Sequence, residues 1–569
     1  MTTASYFFDG SNQPGNMSGD ATGAVQISGA GITTITVNMT SDGWLKGPQG
    51  LRLHSGATLT TWKASINGDL TGTTGDGLMF DGTAASTITV GTEGVVSGAT
   101  IGMVTVGGAS FINHGIIQGV TRAIAANAGT DAVTVTNTGT MTSSGAGSWT
   151  IYLTGTAKHT ITNSGTITGD DHSIAININT MTSSDDVVTN NATGILNGAV
   201  DMGYGNDTLT NKGKIFGAVD LGPGANVLTN SGTIQGTVFS GKDADKITNS
   251  GSIFGPLNTG DGNDIVKNSG QIGTVDMGLG NDTYTGGSKL DVVVDNMGKD
   301  TYKLGAGNDF FFAIQLDNSN ANISKDGNID TIDGGSSALA NGSLGDTYDA
   351  HLAVSSLSIN LDSTAHTGLT FDSAASQLAH QADGSDIGTD KITGFEIIEL
   401  GNGVNHVWGS AAAEQFDGGN SADLLYGYGG NDILNGKGGA DLLWGGLGAD
   451  QIDVGQNDAA TDLILYTSVK ESTVAIAGRD SITNFVSVTN GTHNDVVEFN
   501  HMGPLQLHSG NFVDVQFSGA HGEVRVLESG TGWTIQVDTN GDFKADMAID
   551  VVDATHQIAW TAGNFVFVL

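Results

Sequence analysis

The chain has no cysteine and only 5 prolines in 569 residues. Without cysteine there are no disulfides, so stability outside a cell has to come from packing and from bound ions. Bases are scarce too: 20 Lys and Arg stand against 59 Asp and Glu, a formal net charge of −39. Such a chain is repelled by nucleic acid and by anionic lipid, and a divalent cation is its natural counterion. No apolar run reaches the roughly 18 residues of a membrane-spanning helix. The opening residues, MTTASYFFDGSNQPG, have neither the basic region nor the apolar core of a signal peptide. No His-Glu-x-x-His and no Gly-x-Ser-x-Gly occurs, which argues against a zinc protease and a serine hydrolase. Gly236–Asp243 satisfies Gly-x4-Gly-Lys but lacks the Ser or Thr that would hold magnesium, a coincidence in a glycine-rich chain.

What is abundant is glycine, 88 residues, with Thr, Ser, Asn and Asp between short β-branched runs. That is how a repetitive all-β protein reads. Gly418 to Asp453 is the most regular stretch: GGNSADLLY, GYGGNDILN, GKGGADLLW, GGLGADQID. Each nonapeptide approximates Gly-Gly-x-Gly-x-Asp-x-U-x, with U a large apolar residue. The glycine half makes a turn with open carbonyls and one carboxylate, and x-U-x makes a short strand with one side chain inward. Two units give one coil, so Asp423 stacks on Asp441 and Asp432 on Asp450, about 4.8 Å per layer. Carboxylates that close repel unless a cation lies between them, and oxygen-only donors select calcium. The stretch resembles the RTX repeats, whose parallel β-rolls bind calcium between turns. The resemblance implies ligands from Asp423, Asp432, Asp441 and Asp450 and from the turn residues Gly418, Asn420, Gly427, Gly429, Gly436, Gly438, Gly445 and Leu447.

A second repeat, Gly-x-U-x-Gly, is led by Gly68, Gly94, Gly115, Gly139, Gly165, Gly194, Gly213, Gly232, Gly251 and Gly270, at intervals of 26, 21, 24, 26, 29 and then four of 19. One repeat per coil with a variable loop indicates a parallel β-solenoid. Asn113, Asn137, Asn163, Asn211, Asn230, Asn249 and Asn268 recur before it and are expected to form an amide ladder at one corner. Where the period settles at 19, Asp207, Asn226, Asp245 and Asp264 follow at that interval, and then Asp282, Asp291, Asp300 and Asp309 at intervals of 9. These are further expected calcium positions, with Asn226 breaking the column and weakening its neighbours. The expectation is one continuous solenoid.

The remaining regions are less regular. Residues 1–60 read as an N-terminal cap or anchor, 61–276 as parallel solenoid, 277–313 as a first RTX array, 314–417 as irregular coils around an insertion, and 418–453 as the second array. The insertion carries His351, His366 and His380, too scattered for a zinc-ligand pattern. Residues 454–569 resemble the closing domain of serralysin-type secreted proteins. There Asp480, Ile482 and Phe485, and Asp495, Val497 and Phe499, match its strand signatures, and an antiparallel meander ends in NFVFVL. That resemblance implies a type I secretion signal and the secretion apparatus as partner. Asp538, Asn540, Asp542 and Asp546 match positions 1, 3, 5 and 9 of an EF-hand-like loop, with Phe543 and Ile549 departing from it; a metal-free hairpin is an equal reading.

The fold expected is therefore all-β, a right-handed parallel β-solenoid with calcium-binding turns, closed by an antiparallel meander. In composition and layout the chain is similar to RTX-containing surface-layer proteins of Gram-negative bacteria. The resemblance implies a secreted, non-enzymatic protein of the cell surface that assembles with its own copies, with polysaccharide or lipopolysaccharide as further partners. An adhesin or biofilm-matrix protein is a neighbouring reading. A β-helix polysaccharide lyase or epimerase is another, although no cluster of bases is visible to neutralise a uronate.

Overall fold

A computed structural model describes residues 2–8, 24–27, 32–39, 41, 44–47, 50–55, 61–80, 85–176, 184–315, 322, 328–336, 345–367, 376–377, 380–456, 459–487, 494–509, 512–553 and 556–568. It falls into two compact units, Met1–Tyr284 and Thr285–Leu569. Among the described residues regular structure is strand, apart from two short 3-10 turns, Ile476–Gly478 and Ala562–Asn564.

In the first unit each turn of chain lays short strands on those of the turn before, parallel and in register. The 19-residue coils show the rule. Thr208–Asn211 lies between Val187–Asn190 and Val227–Asn230, so Leu209, Leu228, Ile247 and Val266 stack in one column. Ile215, Ile234, Ile253 and Ile272 stack in a second, and Val219, Val238, Leu257 and Val275 in a third. All are buried. Each coil therefore contributes three aliphatic side chains to a continuous core, about 2 kcal/mol apiece.

Strands ahead of residue 60 pair in the same way: Thr2–Phe8 on Ile32–Met39, and that strand on Thr61–Ile66. The described strands of residues 1–60 thus pair in parallel with the coils that follow, though the sequence there shows no regular repeat.

The second unit uses 18-residue coils with two strands each. His406–Trp408, Leu424–Tyr426, Leu442–Trp444 and Leu463–Tyr466 form one parallel sheet, and Gln415–Asp417, Ile433–Asn435 and Gln451–Asp453 belong to the other. Between residues 345 and 400 one sheet carries an antiparallel insert. Gly388–Thr393 pairs with Gln381–Gly384, which pairs with Leu357–Asn360, and the outer strands of the insert are parallel to regular coils. The other sheet passes this region without interruption, Thr347–Asp349 on Ile397–Glu399 on Gln415–Asp417. Near the C-terminus Glu523–Ser529, Gly532–Asp538 and Met547–Val552 form an antiparallel meander. The last strand, Phe565–Val568, then returns to pair parallel with Val496–Asn500.

Candidate metal-binding turns

Several of the described corners fall at a residue that follows two left-handed backbone positions, four and two residues earlier. For Asp207 these are Gly203 (φ 81°) and Gly205 (φ 147°), and for Asp264 Gly260 (φ 89°) and Gly262 (φ 153°). For Asp441 they are Lys437 (φ 65°) and Gly439 (φ 126°), and for Asp450 Gly446 (φ 92°) and Gly448 (φ 158°). A left-handed residue reverses the chain tightly, and glycine does so at no steric cost.

The side chains at these corners stack into columns. In the first unit the His159 N–H donates to Asp186 Oδ1 (2.6 Å), Asp186 N–H to Asp207 Oδ1 (2.7 Å), and Asp207 N–H to Asn226 Oδ1 (2.9 Å). Asn226 N–H then donates to Asp245 (2.6 Å), Asp245 to Asp264 (2.7 Å) and Asp264 to Asp282 (2.7 Å). The column therefore starts one coil before Asp207. The residue missed is Asp186, which lies outside the glycine-Asp motif and was recoverable only from the 21-residue offset to Asp207.

The second unit has two columns. One runs Asp291, Asp309, Asp346 and Glu396, each N–H donating to the next carboxylate at 2.8–2.9 Å. Glu396 is in register with Glu414, and Glu414 N–H donates to Asp432, Asp432 to Asp450 and Asp450 to Asp480. The other places Asp300 N–H on Asp330 Oδ1 (2.6 Å) and, beyond the antiparallel insert, links Asn405, Asp423, Asp441, Asp462 and Asp495. Among the described residues one column thus continues through residues 314–417, at Asp346, Glu396 and Glu414. Sequence spacing concealed it because the steps from Asp309 to Asp346 and from Asp346 to Glu396 are 37 and 50 residues.

All these carboxylates except that of Glu396, which is half-buried, are buried. Along each column, one oxygen of the receiving carboxylate accepts the backbone N–H just described. The second oxygen of Asp207, Asp309 and Asp450 is buried with no hydrogen-bond donor. Burial, reinforced by neighbouring acids, pushes the ion-free carboxyls up: Asp207 to about 8, Asp432 to about 9, Asp309 to about 7 and Asp450 to about 6. A buried oxygen lacking any donor is what a bound cation would satisfy.

The expected turn residues occupy two kinds of place. Gly418, Gly427, Gly436 and Gly445 face the second oxygen of their own Asp: a Cβ on Gly418 would lie 2.8 Å from Asp423 Oδ2 and 2.7 Å from the Gly436 carbonyl oxygen, and Gly427, Gly436 and Gly445 sit against Asp432, Asp441 and Asp450. A side chain there would fill the cradle between the carboxylate and the next coil. Asn420, Gly429, Gly438 and Leu447 lie at the rim. Asn420 Nδ2 donates to Asn402 Oδ1 (2.7 Å), Gly429 N–H to the Ser410 carbonyl (3.1 Å), Gly438 N–H to the Gly419 carbonyl (3.2 Å), and the Leu447 carbonyl accepts the Gly430 N–H (2.9 Å). Carboxylate and carbonyl oxygens alone surround these corners, a donor set that fits calcium. When bound, calcium supplies positive charge between stacked carboxylates; the chain holds the oxygens in place and keeps them out of water.

Two other clusters engage their own groups. Asp538 accepts N–H groups from Asn540, Gly541 and Phe543 at 2.7–3.2 Å, and Asp546 Oδ2 accepts the Thr539 N–H at 2.8 Å. His351 is paired with Asp349 at 2.5 Å, and Glu399 stands beside them with ligand atoms within 4.8 Å of one another. Burial, and then the neighbouring acids Asp349 and Asp417, push the Glu399 carboxyl above its ordinary value. The structure thus brings one insertion histidine, His351, to two carboxylates; the side chain of His366 lies outside the described residues.

The opposite corner of the first unit's coils carries no charge. Asn113 Nδ2 donates to Asn137 Oδ1 (2.7 Å), Asn137 to Asn163 (2.8 Å), Asn163 to Asn190 (2.9 Å) and Asn190 to Asn211 (2.9 Å). Asn211, Asn230, Asn249 and Asn268 continue it at 2.8 Å. The amide ladder thus has eight buried members, including Asn190, which the variable loop before Gly194 had hidden.

A family model of the RTX calcium-binding nonapeptide repeat, in 4 copies, matches residues 278–311, 392–425 and 426–458. No curated protein matches the chain. The matched segments contain the Asp282–Asp309 and Asp423–Asp450 turns, whose carboxylates were found stacked and buried. The chain carries RTX nonapeptide repeats, and calcium is the ion they bind.

Proposed function

We propose that the protein is a secreted, calcium-dependent structural protein of the bacterial cell surface that assembles with its own copies into a layer. The observation that carries this reading is the extent of the stacked coils, which occupy both units and leave the carboxylate columns as the chain's main chemistry. RTX repeats are typical of secreted bacterial proteins. Among the described residues no helix is long and apolar enough to cross a membrane. The role is non-enzymatic: the turns bind an ion and fix a shape. Arg122, one of the few bases a uronate-processing site could use, is stacked over the Tyr152 ring at 4.3 Å.

Calcium supplies the switch between compartments. A site with a dissociation constant of ~10 μM in ~1 mM external calcium adds roughly 2.7 kcal/mol to folding, and at sub-micromolar calcium about nothing. The acidic chain stays open for export inside and folds once outside. Electron microscopy of purified protein tests assembly: sheets or filaments with calcium that dissolve with chelator support the reading. Monodisperse protein in calcium that cleaves a uronate polymer overturns it.

A further inference from the structure

Two corners in the columns carry asparagine where the others carry an acid, and their contacts differ in kind. At Asn226, Nδ2 faces the carbonyl oxygens of Gly222 (2.8 Å), Gly224 (2.8 Å) and, from the next coil, Ser240 (3.1 Å). At Asn405 in the second unit, Nδ2 faces the carbonyl oxygens of Gly401 (3.1 Å) and Gly403 (2.9 Å) and, from the next coil, Asp423 Oδ1 (2.9 Å). The same two offsets, four and two residues before the corner, supply the oxygens in both cases, and the third comes from the following coil. The amide orientation is fixed by its other atom, since Asn226 Oδ1 accepts the Asp207 N–H and Asn405 Oδ1 accepts the Leu357 N–H.

We propose that Asn226 and Asn405 are built-in ion surrogates, closing their corners with a side-chain amide where the aspartate corners take calcium. A corner gathers oxygens that need something positive among them. An aspartate adds another oxygen, leaves one oxygen of Asp207 or Asp450 without a donor, and so requires a cation. An asparagine adds an NH2 group whose two N–H bonds, shared among three acceptors, do the cation's work at no net charge. At Asn405 the neighbour is quieted as well: Asp423 Oδ2 accepts the Gly419 N–H (2.8 Å) while its Oδ1 serves Asn405. These two corners therefore do not fit calcium, and their coils are rungs that close without it. Asn226 splits the first unit's column into Asp186 and Asp207 on one side and Asp245, Asp264 and Asp282 on the other. Asn405 marks where the second unit's column resumes after the antiparallel insert. The sequence expectation that Asn226 merely weakens its neighbours is sharpened: the corner is complete in itself.

The test is a count of bound ions on the full chain, by equilibrium dialysis against calcium and elemental analysis, with circular dichroism to confirm folding. Asn226→Asp and Asn405→Asp are each expected to bind about one more calcium than the wild type and to need more calcium to reach half their β signal. Asn226→Ala, which removes the donor and adds no ligand, is expected to bind no more calcium and to melt lower in calcium and in chelator alike. If the aspartate variants fold and hold the wild-type number of ions, the proposal fails. If Asn226→Asp does not fold, Asn405→Asp decides, since it lies in the other unit. Neither readout requires assembly, so surface-layer formation can fail while this inference stands.

Discussion

The two units solve one problem with different chemistry. A stack of coils must hold its corners together along the whole axis. In the 19-residue coils one corner is an amide ladder, closed by the chain itself, and the other is a carboxylate column. In the 18-residue coils both corners are carboxylate columns. The first design spends one neutral side chain per coil and works at any calcium level. The second makes the corners conditional on an outside ion. Loop length does not separate them: amide-ladder coils have intervals of 21 to 29 residues, and carboxylate columns combine the strict spacing of nine in residues 418–453 with steps of 37 and 50 elsewhere.

Removing calcium should separate the designs most sharply. In chelator, hydrogen exchange of residues 406–484 is expected to accelerate about a hundredfold or more over the calcium-loaded protein, at roughly 2.7 kcal/mol per lost site, while residues 109–163 keep their protection. Equal loss in both would show that the ladder does not hold by itself. Next in size is Asn211→Ala. It takes the side-chain acceptor from the Asn190 amide, which keeps the Gly194 and Lys214 carbonyls, and leaves Asn230 Oδ1 without its amide donor, costing about 1–3 kcal/mol for the orphaned oxygen. The melting temperature should fall by the same amount with and without calcium; a drop that calcium rescues would assign the ladder to the ion-dependent class.

Acidity should move the two states in opposite directions. The ion-free carboxyls of Asp207 and Asp432 sit at about 8 and about 9, above the ordinary carboxylate value. A raised acid stabilises the fold below its unfolded value, and that contribution is lost as pH rises through the folded one. Calcium-free protein should therefore be most stable near pH 4 and weaken toward pH 9. With calcium, protons compete for the same oxygens, so the calcium midpoint should rise as pH falls. Midpoints that do not shift between pH 9 and pH 6 would contradict the assignment. The smallest effect is expected from Lys437→Gly, which relieves a non-glycine residue at φ 65°; melting should show a gain of at most about 1 kcal/mol.

The strict array was legible because both its parts repeat locally: nine residues fix the turn, the strand and the carboxylate together. The column through Asp309, Asp346, Glu396 and Glu414 was not, because register is a property of space. An insertion of any length can leave a coil and return to it, and Thr347–Asp349 resumes in line however far it lies in the chain. Residues 454–569 were read as a closing domain, yet Asp462, Asp480 and Asp495 sit in the same columns as Asp441 and Asp450. Around them only Gly478, two residues before Asp480, and Gly491, four before Asp495, remain of the glycine pattern, so the motif fades before the stacking does. The role of asparagine at Asn226 and Asn405 was hidden for a chemical reason. In sequence it looks like a lost ligand, and only the three oxygens around its nitrogen show it to be a replacement for the ion.

One property of the ladders concerns direction. Every carboxamide from Asn113 to Asn249 donates toward the next coil, and every column N–H from His159 to Asp264 does the same. The bond dipoles therefore add along the axis, as peptide dipoles do along an α-helix. The two ends of the ladder are unlike. At its start the Asn113 oxygen has no donor, and at its finish Asn268 donates to the Tyr284 hydroxyl at 3.2 Å. A growing stack thus offers donors at one face and acceptors at the other, so a coil arriving from the C-terminal side is met by different chemistry from one arriving from the N-terminal side. The first unit's stack is thus polar along its ladder, with a front and a back.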